Sequence, residues 1–217
     1  MFTSRQDAGH RLGALLVERH VQADRVLGLA RGGVVVAAGV ARALHAPLDV
    51  LLVRKIGHPQ YREFALGALA EGNVVVWNEP ALRASPVPPE ALEAVLEEER
   101  RTLQAQRRTL AAGRTLDLNG QRVVLVDDGL ATGSSMEAAV ASARRHGAAR
   151  VIVAVPVASD TAFQHLSRVA DEVQAVLVDP DFTAVGAYYA RFPQTTEEEV
   201  LALLRAGRSP RPPQPGT

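Results

Sequence analysis

Two adjacent carboxylates, Asp127 and Asp128, end an apolar run and open a short loop. Gly129, Thr132, Gly133, Ser134 and Ser135 follow within VVLVDDGLATGSSMEAAV, residues 123–140. Neighbouring acids of this kind can accept hydrogen bonds from the vicinal hydroxyls of a sugar. Glycines let backbone amides approach a phosphate closely. A helix that begins at the serines turns its unpaired N–H groups and its dipole toward an anion. The hydroxyls of Thr132, Ser134 and Ser135 add short donors. The segment therefore suits both halves of a phosphorylated sugar. The competing reading is a plain strand–turn–helix connection capped by Thr or Ser. That reading accounts for the glycines and hydroxyls, but not for two like charges set side by side, which repel.

Other phosphate loops are excluded by spacing. The lysine-bearing G-x-x-x-x-G-K-[ST] pattern and the dinucleotide G-x-G-x-x-G pattern are both missing here. A second loop, GLARGGVVVA at 28–37, brings Arg31, Gly32 and Gly33 to the start of another helix. It reads either as an anion-binding turn or as a glycine turn with a solvated arginine. A third stretch, VRKIGHPQYREFALGALAEG at 53–72, opens with Arg54 and Lys55 at a strand end. Lys55 is the only lysine among 24 basic residues. A compact ammonium and a guanidinium fork are not interchangeable at a phosphate, so this lysine marks either a requirement or a survivor of coding bias. His58 reads as a phosphate or base contact, or as an exposed loop histidine. Arg62 and Glu63 read as a surface ion pair.

These residues need a rigid frame, and the hydropathy pattern supplies one. Nearly continuous apolar runs at 26–30, 48–53, 73–77, 122–127, 150–157 and 172–179 predict strands buried on both faces of a parallel sheet. Helical patterns lie between them at 6–20, 33–45, 89–112, 134–146, 160–168 and 195–204. Alternation of this kind predicts an α/β fold, a mostly parallel sheet flanked by helices. Ligands of such folds bind beyond the carboxyl ends of the strands. The proline-rich tail, 208–217, is expected to be disordered. Residues 1–207 are expected to form one domain.

Composition narrows the function classes. Twenty-four basic residues balance 24 acidic ones, so no broad attraction to nucleic acid or to an anionic membrane is indicated. The sequence has no cysteine, which excludes thiolate catalysis, thiolate metal sites and disulfides. Neither a secretory h-region nor a run of ~20 apolar residues is present; the expectation is a cytoplasmic protein.

The segment VVLVDDGLATGSS closely resembles the signature of type I phosphoribosyltransferases, which bind phosphoribosyl pyrophosphate (PRPP). The resemblance covers about 20–180. It implies that Asp127 and Asp128 hold the ribose hydroxyls and that Ala131, Thr132, Gly133, Ser134 and Ser135 wrap the 5-phosphate. Arg31, Gly32 and Gly33 match a loop that holds pyrophosphate, often with unusual peptide geometry. Arg54 and Lys55 fall where the family carries a mobile loop that closes over the site and contributes basic contacts, so the resemblance implies that they neutralise the leaving pyrophosphate. Mg2+ is expected to bridge pyrophosphate and ribose through PRPP oxygens and water, with no direct protein ligand. A small hood lobe, here 179–195 with part of the N-terminus, usually recognises the acceptor; Phe182 and Tyr188 are its candidate contacts. Relatives are often dimers, so a homodimer is an expectation without a legible interface.

The implied activity is transfer of the phosphoribosyl group from PRPP to a nitrogenous base or amine. Two alternatives stand beside it. A PRPP- or nucleotide-binding regulator could use the same fold without turnover. A phosphatase using Asp127 as nucleophile ranks last, because its Asp-x-Asp arrangement is missing.

Overall fold

A computed structural model describes residues 1–111 and 115–207. The disordered-tail expectation for 208–217 lies outside the described residues, as does the last residue of the helix expected at 89–112. The main sheet has five parallel strands: β1 (Arg25–Leu29), β2 (Leu48–Leu51), β6 (Arg122–Val126), β7 (Arg150–Ser159) and β8 (Glu172–Asp179). Their order is β2-β1-β6-β7-β8, so β1 and β6 are central neighbours, paired from Arg25–Val123 to Gly28–Val126. Val26, Leu27, Val124, Leu125 and Val126 are fully buried, as continuous apolar runs covered on both faces require.

Helices cover both faces. One layer holds α1 (Arg5–Glu18), α2 (Gly32–Ala43) and α7 (Glu197–Gly207). Its core includes Leu12, Leu16, Val36, Val40 and Leu204. Helices α1 and α2 approach closely, since a Cβ on Gly9 would lie 2.6 Å from the Val36 carbonyl oxygen and one on Gly39 would lie 2.6 Å from Gly9. The other face carries α5 (Ser134–Arg145) and α6 (Asp160–Leu166), with Met136, Ala139, Val140 and Leu166 packed on Leu125 and Val153.

Three differences from the sequence expectation matter. The run 48–53 does not form one strand. It breaks at Leu52, and β3 (Val53–Gly57) leaves for a separate antiparallel sheet with β4 (Ala65–Ala70) and β5 (Val74–Trp77). Run 73–77 is thus β5 of this smaller sheet, not a member of the parallel one. The stretch 53–72, expected as a loop, is mostly the β3–β4 hairpin. Short apolar runs do not reveal which sheet they join. At the break, the Leu52 N–H donates to Glu71 Oε2 and the Glu71 N–H to the Leu52 carbonyl, each at 3.2 Å. Helices α3 (Glu79–Ala84) and α4 (Pro89–Leu110) follow, and α4 packs on β3 and β4.

Candidate active site

The site begins where two central strands end side by side. After β6 come Asp127 and Asp128; after β1 comes the turn Ala30–Gly33. The Ala30–Arg31 peptide is cis, the kind of geometry the resemblance implied for this loop. Gly33 lies directly against the acids, because a Cβ there would stand 2.7 Å from the Val126 carbonyl oxygen and 2.8 Å from Asp127 Oδ1. At Gly32 a Cβ would collide with Asp128 Oδ2. Only glycines let the two loops touch in this way, which is a stronger reason for Gly32 and Gly33 than turn-forming alone.

Asp127 Oδ1 accepts the Asp128 N–H at 2.9 Å. Burial holds the Asp127 carboxyl well above the usual carboxylate range, and the charge of Asp128 pushes the same way. The Asp128 N–H, Lys55 and Arg5 oppose that rise. Asp128 has a different environment: Arg5 Nε donates to its Oδ2 at 2.8 Å, and the Tyr189 hydroxyl donates to its carbonyl at 2.6 Å. Burial and the neighbouring acids raise the Tyr189 phenol far above its ordinary range.

Beyond the acids the chain folds into a short loop that leads into α5. Leu130 bridges to β7: its N–H donates to the Val157 carbonyl, and its carbonyl accepts the Ser159 N–H, both at 2.9 Å. Ser159 Oγ fixes the Ala131 carbonyl at 2.7 Å. Gly133 then takes φ 82°, a left-handed conformation that favours glycine, and serves as N-cap of α5. It has no side chain to bond the first amides of the helix, so these are left for an incoming acceptor. Ala131 and Thr132 are exposed, Ser134 and Ser135 half-buried, and Thr132 Oγ1 lies 3.4 Å from Ser134 Oγ.

A cavity of about 430 Å³ opens beside Asp127, lined also by Ala30, Lys55, Gly57, Glu99 and Ser135. Arg54 lines it too, but its Nε is bonded to Glu99 Oε2 at 2.8 Å. The two basic residues predicted for the pyrophosphate therefore differ. Lys55 is exposed at the cavity, with no carboxylate in ion-pair distance among the described residues, while Arg54 is committed to a buried acid on α4. Other expectations for this hairpin change. His58 is buried, not exposed, and its Nδ1 accepts the Gln60 N–H at 3.1 Å. Arg62 pairs with Glu98 at 2.6 Å rather than with Glu63.

The hood draws on both ends of the chain. Phe2 exchanges backbone hydrogen bonds with Tyr188 and Ala190 at 2.7 and 2.8 Å, and its ring packs on Tyr189. Phe182 and Tyr188, the candidate acceptor contacts, stack on each other at 5.3 Å. The Tyr188 hydroxyl donates to Asp179 at 2.6 Å, which pushes its pKa up to about 12. Tyr189 and Arg5 are the hood residues that reach the acid pair, and the sequence reading did not single them out. The aromatic cluster at 182–192 was a signal for Tyr189, whereas nothing marked Arg5.

Comparison with known proteins identifies the family. The model of the phosphoribosyl transferase domain matches residues 7–187. The chain belongs to the phosphoribosyl transferase domain family. A Mycobacterium tuberculosis protein, named as a provisional phosphoribosyl transferase and found in strains CDC 1551 / Oshkosh and H37Rv, is 42% identical over 207 residues. The match takes in 94% of this chain and 46% of that protein, so the chain spans about half the length of these relatives. The crystal structure of TT1426 from Thermus thermophilus is 45% identical with a TM-score of 0.76, covering 96% of this chain and 99% of that one. As a phosphoribosyl transferase domain, the chain presents its acid pair and the loop into α5 at the carboxyl ends of the parallel strands, where α/β folds bind ligands.

Proposed function

We propose that the chain transfers the 5-phosphoribosyl group of PRPP to a nitrogen acceptor, a base or an amine, and releases pyrophosphate. The observation that carries the reading is the junction of the Asp127–Asp128 pair with the Arg31–Gly33 turn on the adjacent strand, next to the uncapped start of α5. In this reading the amides and hydroxyls of Ala131, Thr132, Gly133, Ser134 and Ser135 receive the 5-phosphate. Asp127 and Asp128 receive the ribose hydroxyls. Arg31, Gly32, Gly33 and Lys55 receive the pyrophosphate.

The chemistry follows from those positions. The bond from the anomeric carbon to pyrophosphate breaks and its electron pair leaves with pyrophosphate. A lone pair of the acceptor nitrogen forms the new bond, and the nitrogen gives up its proton to water. Positive charge builds on the sugar ring in between, and preorganised carboxylates nearby lower the energy of that state. Lys55 offsets charge on the leaving group. No protein nucleophile is needed. In this reading a hydrated Mg2+ would arrive with PRPP and would supply further charge neutralisation. Phe182 and Tyr188 are proposed to border the acceptor. No helix of the described residues is long and apolar enough to cross a membrane.

The test is isothermal titration of PRPP with magnesium, followed by pyrophosphate release against a panel of bases and amines. Binding with acceptor-dependent release is expected. Absence of PRPP binding overturns the proposal, and binding without release from any acceptor replaces transfer with a regulatory role.

A further inference from the structure

Arg5 sits in the first turn of α1, yet its side chain is only 10% exposed. A long cationic side chain is seldom buried to that extent unless it is paired. Here the guanidinium is engaged at two of its nitrogens and on one face. Nε donates to Asp128 Oδ2 at 2.8 Å, Nη1 donates to the Pro193 carbonyl at 2.6 Å, and the planar group lies 3.7 Å over the Phe192 ring. Phe192 in turn packs on Tyr189 at 4.9 Å between ring centres, and Tyr189 bonds the Asp128 carbonyl. Asp128 is therefore gripped twice, at its side chain from the N-terminal helix and at its backbone from the hood.

The placement of Arg5 is built into the fold. Ser4 caps α1, and Gly9 meets Gly39 where α1 crosses α2. That close crossing carries the first turn of α1 over the start of α2, where Gly32 leaves room for Arg5 and Asp128 to meet.

We infer that Arg5 is a positioning residue: it holds the Asp128 carboxylate in its ribose-binding orientation and couples that orientation to docking of hood residues 189–193. The inference deepens the PRPP reading and rests on it. A guanidinium suits the task better than an ammonium, because it can bond two acceptors while stacking on a ring. Removing it also removes a cation that opposes protonation of Asp127. The charged or titratable groups around the pair are Lys55 from β3, Arg5 from α1 and the Tyr189 phenol from the hood. Loss of Arg5 thus moves the acid-side loss of PRPP binding to higher pH.

The experiment compares wild type, Arg5→Gln and Arg5→Lys by PRPP titration with magnesium across the acid to neutral range. Far-UV circular dichroism checks that each protein is folded. Folded Arg5→Gln should bind about 10- to 100-fold more weakly, the scale of a lost hydrogen bond to a charged group, with its acid limb shifted upward. Arg5→Lys should return the acid limb toward wild type while affinity stays reduced. Wild-type affinity and pH limb in folded Arg5→Gln overturn the inference. If Arg5→Gln does not fold, wild-type affinity in Arg5→Lys overturns it. Should wild type itself not bind PRPP, the proposed function falls, and the free protein decides on Arg5. An Arg5 Nε–H NMR signal protected from exchange in wild type and unprotected in Asp128→Ala supports the clamp, and an unprotected signal in wild type overturns it.

Discussion

Gly33→Ala tests the junction between the two loops. The added methyl would stand 2.7 Å from the Val126 carbonyl oxygen, 2.8 Å from Asp127 Oδ1 and 2.9 Å from Asp127 Cα. Ordinary contact begins at 3.4 Å, so relief requires the loops to part by roughly 0.6–0.7 Å in a site already packed. Two of the three obstacles are backbone atoms, so a rotamer change alone cannot provide relief. Overpacking of this kind costs about 1–3 kcal/mol, or roughly 2–12 °C in Tm for a domain of this size. On the proposed PRPP reading, displacing Asp127 would cost it a hydrogen bond to the sugar, which at about 1.5–3 kcal/mol lowers PRPP affinity roughly 10- to 150-fold. Gly120→Ala is the control. Its φ is +70° but nothing lies within 4 Å of its added Cβ, so it should cost about 1 kcal/mol of stability through backbone strain and leave PRPP binding unchanged. Calorimetric titration and thermal unfolding of the two variants side by side provide the assay. If Gly33→Ala binds PRPP within about twofold of wild type at unchanged Tm, the loops are not in contact as described.

Three further outcomes are expected. Asp127→Asn should stabilise the free protein near neutral pH while abolishing PRPP binding. Because the folded-state pKa of Asp127 is raised, chiefly by burial and then by Asp128, the folded state holds its proton more tightly than the unfolded one. Stability therefore falls as pH rises from the ordinary aspartate value of about 3.9 through the raised one. Urea midpoints from pH 4 to pH 7 should show a smaller fall for the variant than for wild type; equal slopes refute the assignment. Arg54→Ala leaves Glu99, buried on α4, without its 2.8 Å partner, so it should lower stability by about 1–3 kcal/mol, read from urea melts. Lys55→Ala should leave the melt unchanged and weaken pyrophosphate binding, read by titration with pyrophosphate. If Arg54→Ala matches Lys55→Ala in both assays, the division of labour between them is wrong.

The inner strands of the parallel sheet were legible because they are buried on both faces, and unbroken runs such as RVVLV and RVIVAVPV carry that signature, whereas the edge strand β8 leaves Val176 and Leu177 exposed. The acid pair and the loop that follows it were legible because they are contiguous in sequence. Contacts made across the fold were not. Arg5 reaches Asp128 over a separation of 123 residues, and no local pattern records such a meeting. Arg54 and Lys55 are equivalent by type and place and both line the cavity, but along a strand neighbouring side chains take opposite faces, and of the two Arg54 is the one that meets Glu99 of α4. The hairpin at 53–72 was hidden for a different reason. ALGALA is rich in residues with weak strand preference, and packing on α5 and α4 rather than propensity makes it a strand.

The pairing of Phe2 with Tyr188 and Ala190 has a practical consequence for handling the molecule. The first residues lie in the wall beside the acid pair, and Met1 points outward, 81% exposed. Any polypeptide joined ahead of Met1, whether an affinity tag or a fusion partner, loads the same short bridge that adjoins Tyr189. Proteins prepared with an N-terminal extension and with it removed should therefore be assayed as separate samples.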